Sequence, residues 1–77
     1  MTDKQSLALD VIARVAKKDR GAIKPEQELV GDLGLDSPKQ LHLLMELEEK
    51  LHVEIGDDEA ARLSTVADVL AFIATRS

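Results

Sequence analysis

Three stretches of this chain repeat aliphatic residues at the period of an α-helix, and little else is available to build a core. In residues 2–18, Leu7, Ala8, Val11, Ile12 and Val15 share one face at about 100° per residue, with Asp10, Arg14 and Lys17 opposite. In residues 38–52, Leu43, Leu44, Leu47 and Leu51 cluster on one side. In the last stretch, Val66, Val69, Leu70 and Ile73 do the same. Phe72 is the only aromatic residue, and the chain lacks Cys, Trp and Tyr. The core must therefore be aliphatic, and neither a disulfide nor a thiolate metal site can support it. The 77 residues are expected to make one domain, spanning 1–77. A domain of this size buries only ~60% of its unfolded surface.

Local signals place the boundaries. Thr2 and Gln5 fit a capping box for the first helix, Lys17 and Lys18 suit the negative end of its dipole, and Gly21 is expected to stop it. Residues 19–36 hold three glycines and Pro25, which excludes one continuous helix. Ile23, Leu29, Val30, Leu33 and Leu35 are expected to pin this connection onto the core. Pro38 favours a first helical position, which predicts Ser37 as N-cap with Gln40 completing S-x-x-Q. Gly56 breaks the chain after Val53 and Ile55, D-D-E-A-A-R-L (57–63) predicts a short helix, and Thr65 and Asp68 resemble a second capping box. The predicted fold is all-α: a small antiparallel bundle of three main helices and one short one, with a long loop between helices 1 and 2.

The net charge of −5 is concentrated. Residues 46–59 contain Glu46, Glu48, Glu49, Glu54, Asp57, Asp58 and Glu59 against Lys50 alone. Such a patch repels nucleic acid and anionic lipid and attracts basic protein surfaces. The N-terminus is charged with no apolar segment behind it, and no run approaches the ~20 residues of a membrane span. A cytoplasmic monomer is expected. No Ser/His/Asp set and no metal-ligand cluster is evident; His42 and His52 read as exposed surface residues, and D-L-G-L-D lacks the spacing of a calcium loop. The reading is of a protein that is not an enzyme, with no catalytic residues and no metal site.

Ser37 admits two readings. As a helix cap it would contribute ~1 kcal/mol and need no other role. Yet G-D-L-G-L-D-S places Gly31 and Gly34 in the approach, with Asp32 and Asp36 beside them, so that a hydroxyl meets a positive helix end suited to a phosphate. Beyond it, Leu41, Met45, Glu48 and His52 form a second, half-apolar stripe that reads either as a contact surface at the edge of the core or as the ordinary edge of a broad apolar face.

The run D-L-G-L-D-S followed by L-x-L-L-M-E-L-E-E-K-L-x-V-E-I resembles the acyl carrier protein family, and the likeness extends over nearly the whole chain. The resemblance implies that Ser37 bears 4′-phosphopantetheine, installed by a phosphopantetheinyl transferase, and that Asp36 assists through magnesium in that complex. It implies that Leu41, Met45, Glu48 and Glu49 face partners, namely acyl-transferring, condensing or acyl-activating enzymes with basic surfaces. A chain without cysteine would then draw its thiol from the prosthetic arm. The sequence departs from the family pattern at Pro38, where Leu is usual, and at Lys39 and His42, where acids or neutral residues are common. These departures lean toward a specialised lipid, polyketide or aminoacyl carrier, with a primary fatty-acid carrier as the alternative. A small acidic adaptor without a prosthetic group is the competing class. A pliable aliphatic core including Leu47, Val66 and Leu70 could also open to shelter an acyl chain, at ~0.8 kcal/mol per buried CH₂.

Overall fold

The computed structural model describes residues 3–76. Four helices follow in order: α1 (Asp3–Ala16), α2 (Ser37–Leu51), α3 (Asp57–Ala61) and α4 (Val66–Arg76). The connection from α1 to α2 contains one 3₁₀ turn, Arg20–Ala22. Among the described residues there is no strand, only an isolated bridge between Glu28 and Thr65. The Thr2 half of the expected first capping box lies outside the described residues.

α1 packs against both α2 and α4, and that double contact sets its buried arc. Ala8, Leu9, Val11, Ile12, Ala13 and Val15 are all buried, whereas Leu7, expected on the core face, is 47% exposed. The sequence stripe pointed to one neighbour; two neighbours widen the arc and turn it toward Leu9 and Ala13. Leu43, Leu47 and Leu51 come in from α2, and Val66, Val69 and Ile73 from α4. No polar residue is buried among the described ones.

Helix α1 ends earlier than Gly21. Lys17 takes a left-handed conformation (φ 58°), while its N–H reaches Arg14 O at 3.2 Å and the Lys18 N–H reaches Ala13 O at 2.9 Å. This is a Schellman closure with lysine in the position that usually holds glycine. His52 ends α2 in the same left-handed region. Gly21 falls inside the 3₁₀ turn and stops nothing.

The long connection is tied down at several points. Ile23, Leu29, Leu33 and Leu35 are buried as expected, but Val30 is 58% exposed. Its backbone also serves α4. Val66 N–H donates to Gln27 O at 3.0 Å and Ala67 N–H to Pro25 O at 2.9 Å, while Leu29 N–H donates to Ser64 O at 2.9 Å. The first helical N–H groups of α4, which have no partner within the helix, are thus satisfied by the loop. The expected box completes the cap: Asp68 N–H donates to Thr65 Oγ1 and Thr65 N–H to Asp68 Oδ2, both at 3.1 Å.

Candidate functional site

The loop delivers Ser37 to a defined place. Leu33 and Leu35 are 5% and 1% exposed, so the backbone on either side of Gly34 is anchored in the core. Gly34 itself has φ +68°, a conformation that costs glycine nothing. Leu35 N–H donates to Leu29 O at 3.0 Å, closing the loop on itself immediately before Asp36.

Asp36, and not Ser37, is the N-cap of α2. Its backbone is extended (φ −80°, ψ 177°) and its Oδ1 accepts the Lys39 N–H at 3.1 Å. Ser37 is the first helical residue and Pro38 follows in the first turn, so the expected S-x-x-Q box with Gln40 does not form. Both residues are good caps; the buried Leu33 and Leu35 set the helix phase, and charge adds to the preference. A carboxylate at that position adds attraction to the helix dipole on top of the hydrogen bond that a hydroxyl could also accept. The signal was present in D-x-x-K, one residue ahead of the serine. The consequence is that the Ser37 side chain is exposed and its hydroxyl is not spent on capping.

From Ser37, successive turns of α2 present Leu41, Met45 and Glu48 on the same side of the helix. Leu41 and Met45 are 60% and 58% exposed and lie next to one another on one side of α2. Glu49 is exposed at the edge of this stripe. Glu48 is half-buried, and its Oε2 accepts the Ile55 N–H at 3.0 Å. His42 and His52 are exposed, as expected.

The acidic patch is divided by its internal contacts. Glu46 accepts a hydrogen bond from Arg14 at 3.0 Å and lies 3.5 Å from His42 Nε2, linking α1 to α2. Glu59 takes the Gly56 N–H at 3.1 Å and pairs with Arg76, whose guanidinium also lies 4.9 Å from the Phe72 ring centroid. Glu49, Glu54, Asp57 and Asp58 remain exposed. Charge counting could not have separated the acids that hold the fold together from those that face solvent.

Between α2 and α3 lies a small apolar cavity of about 30 Å³, lined by Leu29, Gln40, Leu43, Leu44, Ala60 and Leu63. It sits under the α2 face that carries Ser37. No group of His, Asp and Glu side chains among the described residues could hold a metal ion, and no described helix is long and apolar enough to cross a membrane.

Residues 7–73 match the family described as the phosphopantetheine attachment site. The chain belongs to the acyl carrier protein family. It is 44% identical over 64 residues to an acyl carrier protein of Campylobacter curvus, an alignment covering 83% of each chain. It is 38% identical over 76 residues to that of Exiguobacterium, covering 95% of this chain and 96% of the relative. A solved structure from Mycobacterium tuberculosis, assigned to the acyl carrier proteins, superposes with a TM-score of 0.86 at 35% identity, covering 94% of this chain and 96% of that one. Acyl carrier proteins are carriers and not enzymes. This one bears covalently attached 4′-phosphopantetheine and works with a transferase that installs the group and with enzymes that handle acyl chains. The adaptor reading, which had no prosthetic group, is thereby overturned.

Proposed function

We propose that this chain is a discrete, single-domain carrier whose prosthetic arm is attached through the Ser37 oxygen. The observation that carries the assignment is the transfer of the capping role to Asp36. It leaves an exposed primary hydroxyl in the first turn of a helix whose dipole favours the negative charge of a phosphodiester. The bound group supplies the thiol that the chain lacks, so that acyl cargo is held as a thioester. Ser37 supplies the oxygen, Asp36 fixes the helix end beneath it, and Gly34 turns the loop there at φ +68°, a conformation that L side chains rarely adopt. Asp36 would retain outward carboxylate oxygen capacity for magnesium in the transferase complex. Incubation with coenzyme A, magnesium and a broad-specificity phosphopantetheinyl transferase should add one phosphopantetheine mass to the wild type and none to Ser37→Ala. An unmodified wild type, or a modified Ser37→Ala, overturns the assignment.

Leu41, Met45, Glu48 and Glu49 are read as the partner-facing side of α2, supported by the exposure of the two apolar members. The first turn of α2 carries no acid and holds Lys39, while the acids begin at Glu46. Enzymes that dock through basic residues next to the serine of a typical carrier would lose that attraction here. This supports service in a specialised lipid, polyketide or aminoacyl pathway over primary fatty-acid synthesis. Mass spectrometry of the acylated protein from its native cell tests the choice: ordinary saturated fatty-acyl intermediates alone would sink it. An acyl chain sheltered against Leu43, Leu44 and Leu63, and not in the Leu47, Val66 and Leu70 region expected from the helical pattern, would have to widen the cavity of about 30 Å³ between α2 and α3. Acyl-dependent chemical-shift changes at Leu44 and Leu63 would bear this out, and changes confined to Ser37 and its neighbours would oppose it.

A further inference from the structure

We infer that Glu48 is a latch that holds the entry of α3 against α2, and that a basic partner side chain competing for its carboxylate releases α3. The second half rests on the partner-face reading of α2; the first half does not. α3 has five residues and none of them is buried. A helix of that length has no stability of its own. Its entry is held by the Ile55 N–H donating to Glu48 Oε2 at 3.0 Å, a charge-assisted bond between the middle of α2 and the residue just before Gly56. Its far side is held separately, through Glu59 to Arg76 at the end of α4.

Glu48 lies on the same side of α2 as exposed Leu41 and Met45, so a protein seated on those two residues places its own side chains beside the latch. A guanidinium prefers to engage both oxygens of a carboxylate. Doing so weakens the bond to Ile55. α3 also forms a wall of the apolar cavity through Ala60, with Leu63 just beyond the helix, so release of the latch loosens that wall. Glu48 is therefore a positioning residue, in which recognition and α3 mobility meet on one carboxylate.

Amide hydrogen exchange tests both halves. In the free protein, Glu48→Ala should speed exchange at Ile55, Gly56 and α3 by roughly tenfold, the loss of one charge-assisted hydrogen bond, with α1 amides unchanged. Glu48→Gln, which keeps an acceptor oxygen, should stay nearer the wild type. Unaltered Ile55 exchange in Glu48→Ala overturns the latch. For the coupled step, wild-type protein is mixed with a phosphopantetheinyl transferase without coenzyme A. Chemical-shift changes at Leu41 and Met45 accompanied by faster exchange at Ile55 and α3 support the release. Shift changes there with Ile55 protection kept or increased overturn it. Binding that leaves Leu41 and Met45 unperturbed overturns the partner-face reading instead and, with it, the coupled step; the free-protein result then stands alone.

Discussion

The Asp36 carboxylate accepts the Lys39 N–H at 3.1 Å, so residue 36 caps α2 and the Ser37 side chain is left exposed. The cap lies at residue 36, and on the proposed assignment the oxygen to be modified lies at residue 37. Substitutions at the two positions should therefore fail in different ways.

Ser37→Ala should fold with stability within about 0.5 kcal/mol of wild type, because it removes an exposed, non-capping hydroxyl. Asp36→Ala should lose about 1 kcal/mol, lowering Tm by roughly 4–8 °C for a domain of this size. Asp36→Asn keeps a good cap and should stay near wild type in Tm. If Asn also blocks modification, the carboxylate charge matters to the transferase and not only to the helix. Thermal melts and mass spectrometry of the three variants decide this, and a destabilised Ser37→Ala would contradict the capping assignment.

Asp68 carries the pH dependence that the structure makes explicit. The Ser64 N–H and then the Thr65 N–H hold its pKa below the ordinary aspartate value of 3.8, against an opposing effect of burial, with the Thr65 hydroxyl adding least. A carboxylate whose folded pKa is depressed stabilises the fold above the unfolded pKa, and the benefit fades as pH falls through the folded value. Its contribution should be complete near neutrality and lost below about pH 4. Asp68→Asn should be less stable than wild type at pH 7, with the difference shrinking in acid. A gap between the two that is constant from pH 7 to pH 3 would rule this out.

Among the described residues, two sit in the left-handed region without being glycine, Lys17 at φ 58° and His52 at φ 55°. Such a conformation costs a residue with a Cβ roughly 1–2 kcal/mol, partly offset by the extra freedom that glycine has when unfolded. Lys17→Gly should raise stability by about 0.5–1 kcal/mol in urea unfolding. Lys17→Val, β-branched at the same position, should lower it.

Burial and exposure along α2 predict a clean split. Leu47 is fully buried, and Leu47→Ala should cost about 2–5 kcal/mol. That is a large share of the roughly 4–12 kcal/mol a chain of this length commands. Leu41→Ala and Met45→Ala, at 60% and 58% exposure, should leave the unfolding midpoint nearly unchanged. Their effect should appear as slower modification by the transferase, read as a higher KM for the protein substrate.

Much of this molecule was legible before the coordinates. The 3.6-residue recurrence of aliphatic residues located all three long helices, since amphipathic burial is a local property of sequence spacing. The Thr65–Asp68 box formed as read, because capping is settled by four consecutive residues. The D-L-G-L-D-S run and the stripe beyond it led to the family and to the exposed face of α2. What local spacing left undecided was every choice between neighbours. Both Asp36 and Ser37 can cap a helix, and the anchoring of Leu33 and Leu35 set the phase in which the aspartate does so. Leu7 and Leu9 could each have faced inward, and the presence of two packed helices around α1 turned it toward Leu9. Glu48 and Glu49 look alike in a string of acids, yet only Glu48 comes within reach of the Ile55 N–H. Periodicity is written along the chain, so the sequence determined which segments are helices. Hydrogen-bond partners distant along the chain come together only on folding, so tertiary structure alone decided which carboxylates hold the bundle closed and which remain exposed.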